Sequence, residues 1–270
     1  MSEIEKEILE QTKGVAVEVY KDALSPAVKP IGEILGFLPR TIKLALSRWE
    51  KWLINGEESL RLTANAIKEK VRQVPEDKLV EPEPYVAIPA IQQISYCQNS
   101  EELRDLYANL LTASMNADKK WQVHPSYVDI IKQLTPDEAK YLKNLPPFIL
   151  ILYPLLDIHF NLGDNHIGSN PAITNFTNVN IEKLEYPRNI CTYIDNLIRL
   201  NIIEIPNGRL NLDVYEDLKK HPLAQSPIGF TLSSANARVT YSYGYKMFRL
   251  TNFGAGFIKI VCGQNWGVDK

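Results

Sequence analysis

The tetrad Thr135-Pro136-Asp137-Glu138 constrains this chain more than any other feature, because that combination starts a helix. Threonine caps the first free backbone N–H groups, proline suits the first helical position, and a glutamate three residues after the cap can reach back to the cap's own N–H. Pro146-Pro147 then stops the helix. Residues 85–145 share this punctuation. Pro89 predicts a helix opening there and running to about Cys97. Asn99 with Glu102 has capping-box spacing, and beyond it Leu103, Leu106, Tyr107, Leu110, Leu111 and Ser114 trace one face of a further helix.

The stretches on either side differ. Residues 1–73 read as helices, with Leu60, Ala64, Ile67 and Val71 forming one apolar stripe and Gly36 and Pro39 interrupting the stretch Ile31 to Leu53. Pro75, Pro82 and Pro84, mixed with Glu76, Asp77, Glu81 and Glu83, predict an extended acidic strap over 74–84. Asn161 to Asn180 is rich in Asn and Gly and reads as a long loop. After it come a helix over 189–200, the run Ile202-Ile203-Glu204-Ile205, and Asn207-Gly208 as a hairpin turn with Arg209 to Leu212 as the returning strand. A β-prone stretch, Arg238 to Leu250, leads to a helix from about Phe253. The fold expected is mainly α. A helical domain covers 1–147, a linker or loop region covers 148–187, and a smaller α+β region covers 188–270.

Composition excludes several classes. Among 270 residues, thirty Lys and Arg stand against thirty-two Asp and Glu, so the total charge calls for neither nucleic acid nor an anionic membrane. Cys97, Cys191 and Cys262 are sparse and far apart, the pattern of reduced thiols in a cytoplasmic protein. The N-terminus, Met1 to Glu7, is acidic and unlike a signal peptide. The most apolar run, Phe148 to Ile158, falls well short of the ~20 residues of a membrane-spanning helix.

Three stretches resemble the Abi-alpha (abortive infection alpha) family: Leu79-Val80-Glu81-Pro82 leading to Ile88-Pro89-Ala90, then Glu101 to Met115, then Val123-His124-Pro125-Ser126 through Leu134-Thr135-Pro136-Asp137-Glu138-Ala139. Asn109 falls within the second. The resemblance spans roughly residues 10 to 265 and implies a helical protein associated with phage defence, with no catalytic residue to carry over. The C-terminal third is similar to the end of a winged-helix domain. There the phrase Leu250-Thr251-Asn252-Phe253-Gly254 closes the wing and starts the last helix.

Each candidate site has a simpler role as well. His124, Ser126 and Asp129 look like members of a hydrolytic triad but are neighbours in sequence without nucleophile-elbow glycines, so a local helix-entry role is the better reading. Asp157, His159, Asp164 and His166 alternate as metal ligands can, yet match no established zinc spacing. No phosphate-binding glycine motif occurs. Residues 181–270 hold eleven Lys and Arg against eight Asp and Glu, too dilute an excess to favour nucleic acid. The segment 27–46 is cationic and apolar, with Ile31, Ile34, Leu35, Leu38 and Ile42 followed by Trp49. It is a candidate for contact with the inner membrane or a partner, against the simpler role of a core helix.

The sequence thus leads to an antiphage defence component acting by protein interaction or assembly, without catalysis, cofactor or metal of its own. Its partners would be another defence-system protein, a phage component or a second copy of itself. A membrane-disturbing effector using 27–46 and a winged-helix DNA-binding regulator are the alternatives, and an unrecognised hydrolase stands behind both.

Overall fold

A computed structural model describes residues 57–94, 96–97, 99–162, 170–225 and 239–263. The segment 27–46, Trp49, Asp164 and His166 lie outside these residues, as do the first 56 positions as a whole. The described chain is mixed α and β and mostly helical, in the order α1 (Glu57–Val71), α2 (Pro84–Ile94), α3 (Glu101–Ser114), α4 (Ser126–Lys132), α5 (Pro136–Lys143), β1 (Tyr153–Leu162), β2 (Asn170–Phe176), α6 (Ile190–Arg199), β3 (Ile203–Glu204), α7 (Asp213–Lys220), β4 (Val239–Leu250) and α8 (Asn252–Val261).

Helix α3 is the centre of the helical part. The sequence predicts a single apolar face, but Leu106 to Leu111 are all buried, because α1, α2, α4, α5 and α8 surround this helix. Ala108 and Asn109 are the residues that make this feasible. The first is small enough for close approach, and the second finds a partner on α8. The cap of α3 is one residue later than the spacing of Asn99 and Glu102 suggests: Ser100 Oγ accepts the Leu103 N–H at 3.2 Å. Helix α2 starts earlier than expected, at Pro84, and Pro89 lies inside it. Pro84 takes the first helical position, where its missing N–H costs nothing, and so replaces Pro89 as the start.

The four-stranded antiparallel sheet has the order β2-β1-β4-β3. Strands β1 and β2 occupy much of the region expected to be a loop. The Asn- and Gly-rich composition obscured β2, whose only regular apolar positions are Ile173 and Phe176, opposite Ile158 and Leu156. The expected hairpin about Asn207-Gly208 does not form. Ile203 pairs with Leu250 and Glu204 with Arg249, so β3 completes the edge of β4. The chain beyond Gly208 is drawn away instead: Leu210 N–H donates to the Tyr215 hydroxyl (3.0 Å), which donates to the Lys246 carbonyl (2.7 Å). Tyr215 is fully buried, and its ring meets Tyr245 edge-on at 5.0 Å.

The buried residues of helices and sheet form one hydrophobic cluster, running from Ile67 and Val71 through Leu106, Leu110, Tyr141 and Leu142 to Leu155, Phe248 and Phe257. Among the described residues no helix is long and apolar enough to cross a membrane.

Candidate functional site

The densest polar site lies where α5 meets the approach to α6. Thr135 is extended (φ −81°, ψ 162°), which aims its hydroxyl at the Glu138 N–H (3.2 Å), and Glu138 Oε2 accepts the Thr135 N–H at 2.6 Å. The sequence signature thus forms the full reciprocal cap. The other oxygen, Glu138 Oε1, accepts Nδ2 of Asn196 on α6 at 2.7 Å. Asp137 Oδ1 accepts the Glu185 N–H (2.9 Å), while Oδ2 accepts the Tyr186 N–H (2.7 Å) and the Tyr193 hydroxyl (3.2 Å). Both carboxylates are buried, and the nearest cation, Lys140 Nζ, is 4.0 Å from Asp137 Oδ1. A buried carboxylate surrounded by directed N–H and O–H donors is an organising group, because its oxygens are already engaged. The pair clamps helical part to sheet part across about fifty residues of sequence.

A second clamp joins α3 to α8. Asn109 Nδ2 donates to the Val261 carbonyl at 2.9 Å, supplying a donor to the last turn of α8. Gly263 turns the chain with φ +67°, and a Cβ there would lie 3.2 Å from the Asn109 amide. At the other end of α8, Thr251 Oγ1 accepts the Gly254 N–H (2.8 Å) and donates to the Asn201 carbonyl (2.7 Å). Leu250 is buried at the end of β4.

His124 and Ser126 meet as neighbours. His124 Nδ1 accepts the Ser126 N–H at 3.2 Å, the position at which α4 begins after Pro125. The exposed imidazole lies edge-on to Phe253, with centroids 5.7 Å apart, and near Tyr127 at 6.0 Å. The ring nitrogen that a triad would direct at a carboxylate is therefore bound to a backbone amide.

Asp157 and His159 share a face of β1, two residues apart. Asp157 Oδ1 meets Lys246 Nζ at 2.7 Å and accepts the Asn175 N–H at 2.8 Å. Asn175 adopts φ +57° in β2, which turns its side chain to accept from Lys246 (2.5 Å) and donate to Asp195 on α6 (2.7 Å). Gly244 stands opposite Asp157, and a Cβ there would come within 3.2 Å of the Asp157 Cβ. This carboxylate is committed to a cation and a backbone amide. His159 Nδ1 is buried without a hydrogen-bond partner. Among the described residues no three His, Cys, Asp or Glu side chains come together as a metal site. Lys246 and Asn175 were not singled out by the sequence. Their partner Asp157 is 89 and 18 residues away, and only the strand register brings them together.

The cysteines are poor nucleophiles where they lie. Burial pushes the Cys97 and Cys191 thiols up to about 11 and the Cys262 thiol up to about 12, so all three are protonated at neutral pH.

What the surface offers instead is apolar. Between α5 and β1, Phe148, Ile149, Leu150 and Leu152 are exposed in succession, with Leu150 at 84 %. The signal in the sequence is the stretch from Asn144 to Leu156, thirteen residues without a charge. A leucine this exposed within an uncharged stretch is the kind of surface that a partner covers.

No curated protein and no solved structure matches the chain. The family model described as abortive infection alpha matches residues 55–261, from the first described helix to the last, including both clamps. The chain belongs to the abortive infection alpha family.

Proposed function

We propose that this chain is an abortive-infection component that acts in the cytoplasm through protein contact, without chemistry of its own. The family match over 55–261 carries the assignment to phage defence. The mode of action is supported by the exposed loop Phe148–Leu152 and by the engagement of Asp137, Glu138 and Asp157 in holding the fold. In this reading the run α6–β3–β4–α8 is a winged-helix-like contact module. Arg199 on α6 is occupied with Asn196 and Gln133, which favours contact with protein over DNA phosphate. The partner is another defence protein, a phage component or a second copy of the chain.

Expressing the chain, with its neighbouring genes, in a susceptible host tests this. Infected cells should die before releasing phage, so that plaque number falls while uninfected growth is unchanged. Unaltered phage yield would contradict the reading. One equivalent of zinc or iron per purified chain, lost on His159→Ala and His166→Ala, would replace it with an enzymatic one.

A further inference from the structure

The acidic strap and the turn it crosses present a second exposed apolar surface, separate from the Phe148–Leu152 loop. Backbone bonds from Val80 N–H to the Met115 carbonyl and from Ala117 N–H to the Lys78 carbonyl hold the strap against the end of α3. Lys120 then fastens the following turn to the start of α2: its Nζ lies 2.8 Å from Glu83 Oε1 and donates to the Glu81 carbonyl at 2.8 Å. These bonds hold the segments that carry Leu79 and Trp121, which are 40 % and 79 % exposed, next to the start of α2, where Tyr85 and Ile88, one turn apart, are 60 % and 39 % exposed. Trp121 is held outward, its indole N–H donating to the Asp118 carbonyl at 3.0 Å. An exposed tryptophan and tyrosine, with two exposed aliphatic side chains on the same tied segments, supply the kind of surface that a partner covers. Its surroundings carry five carboxylates, Glu76, Asp77, Glu81, Glu83 and Asp118, against three lysines, Lys78, Lys119 and Lys120.

The sequence upstream of α1 complements this patch. Ile31, Ile34, Leu35, Leu38 and Ile42 recur at helical spacing, and residues 24–49 hold Lys29, Arg40, Lys43 and Arg48 against Glu33 alone. Only ten residues separate Leu46 from Glu57, a tether reaching at most roughly 35 Å. That tether starts from Glu57, the first residue of α1, a helix packed on α2 and α3. A short tether raises the local concentration of the segment to about millimolar, ahead of any outside competitor. We infer that the segment 27–46 docks within its own chain on the surface formed by Leu79, Tyr85, Ile88 and Trp121. Its apolar side covers the aromatic pair and its basic residues face the acidic strap. The contact stands whichever target the defence response acts on.

Photo-crosslinking in the full chain tests this. With Trp121 replaced by benzoylphenylalanine, irradiation should join position 121 to peptides within 27–46. A mixture of isotopically heavy and light chains should give only unmixed pairs. Heavy–light pairs would mean that a second copy covers the patch, and crosslinks that miss 27–46 would mean that something else does; either overturns the inference. A second measurement guards against a failed crosslinker. Trypsin should cut after Arg40 and Lys43 about tenfold faster in Tyr85→Ser/Ile88→Ser/Trp121→Ser than in the parent chain, since exposed substitutions leave the fold intact. Equal cleavage rates would overturn it too.

Discussion

Gly254 lies so close to Ile202 that a Cβ on the glycine would stand 1.9 Å from the Ile202 carbonyl oxygen. The first turn of α8 is thereby pressed onto the backbone entering β3, and the contact is locked by Thr251, whose N–H donates to that same carbonyl at 3.1 Å. Gly254→Ala must push helix and strand apart. We expect a loss of about 3 kcal/mol, at the upper end of overpacking costs, measured by urea unfolding. Unchanged stability would show that α8 is free to slide.

Leu106 is fully buried at the centre of α3. Truncating it leaves a cavity that five neighbouring helices cannot all collapse into, so Leu106→Ala should cost about 2–5 kcal/mol. Thermal unfolding reads this directly, and a melting temperature equal to the parent's would contradict the central position of α3.

Asp137→Ala removes the acceptor for the Glu185 and Tyr186 N–H groups and the Tyr193 hydroxyl at once. Leaving such donors unpaired costs about 1–3 kcal/mol each, before any water enters to replace the carboxylate. Hydrogen exchange should therefore accelerate at Glu185 and Tyr186 more than within α3. Exchange raised equally everywhere would mean that Asp137 serves only the helix start.

Asp105 supplies a pH dependence. Burial opposes its ionisation, but hydrogen bonds from Lys143 (2.6 Å) and Lys70 (2.9 Å) and their charges outweigh it and hold the carboxyl below its ordinary value. The folded state therefore binds this proton less readily than the unfolded chain. The stabilisation is present above the unfolded-state value near pH 4 and is lost as pH falls through the lower folded value. Urea midpoints of Asp105→Asn and the parent should differ at pH 7 and converge towards pH 3. A difference independent of pH would remove the ion pairs from the explanation.

Much of the helical part was legible because its signals are local. Thr135 to Glu138 specify a reciprocal cap within four residues, and Thr251, accepting the Gly254 N–H, repeats its threonine half at α8. The misreadings arose where a distant partner decides. Asn207-Gly208 has a hairpin's residues, yet Leu250 offered Ile203 a better edge than Leu210 did. β2 is strand only because β1 lies beside it, and its Asn175 is left-handed because Asp157 and Lys246 capture it. The same holds for function. The motif residues Asn109, Asp137 and Glu138 were visible as motifs, but their role in joining α3 to α8 and α5 to α6 depends on contacts across up to 152 residues. Trp121 gave no signal, because exposure of a lone aromatic is decided by the turn that holds it.

Leu150 offers the most direct test of action by contact. It is exposed at the tip of the apolar loop, so Leu150→Asp should leave circular dichroism and melting temperature unchanged. In cells challenged with phage, the variant at parental abundance should lose most of its protection if the loop meets a partner whose apolar surface cannot accept a charge. Full protection by a normally folded Leu150→Asp chain would contradict the account.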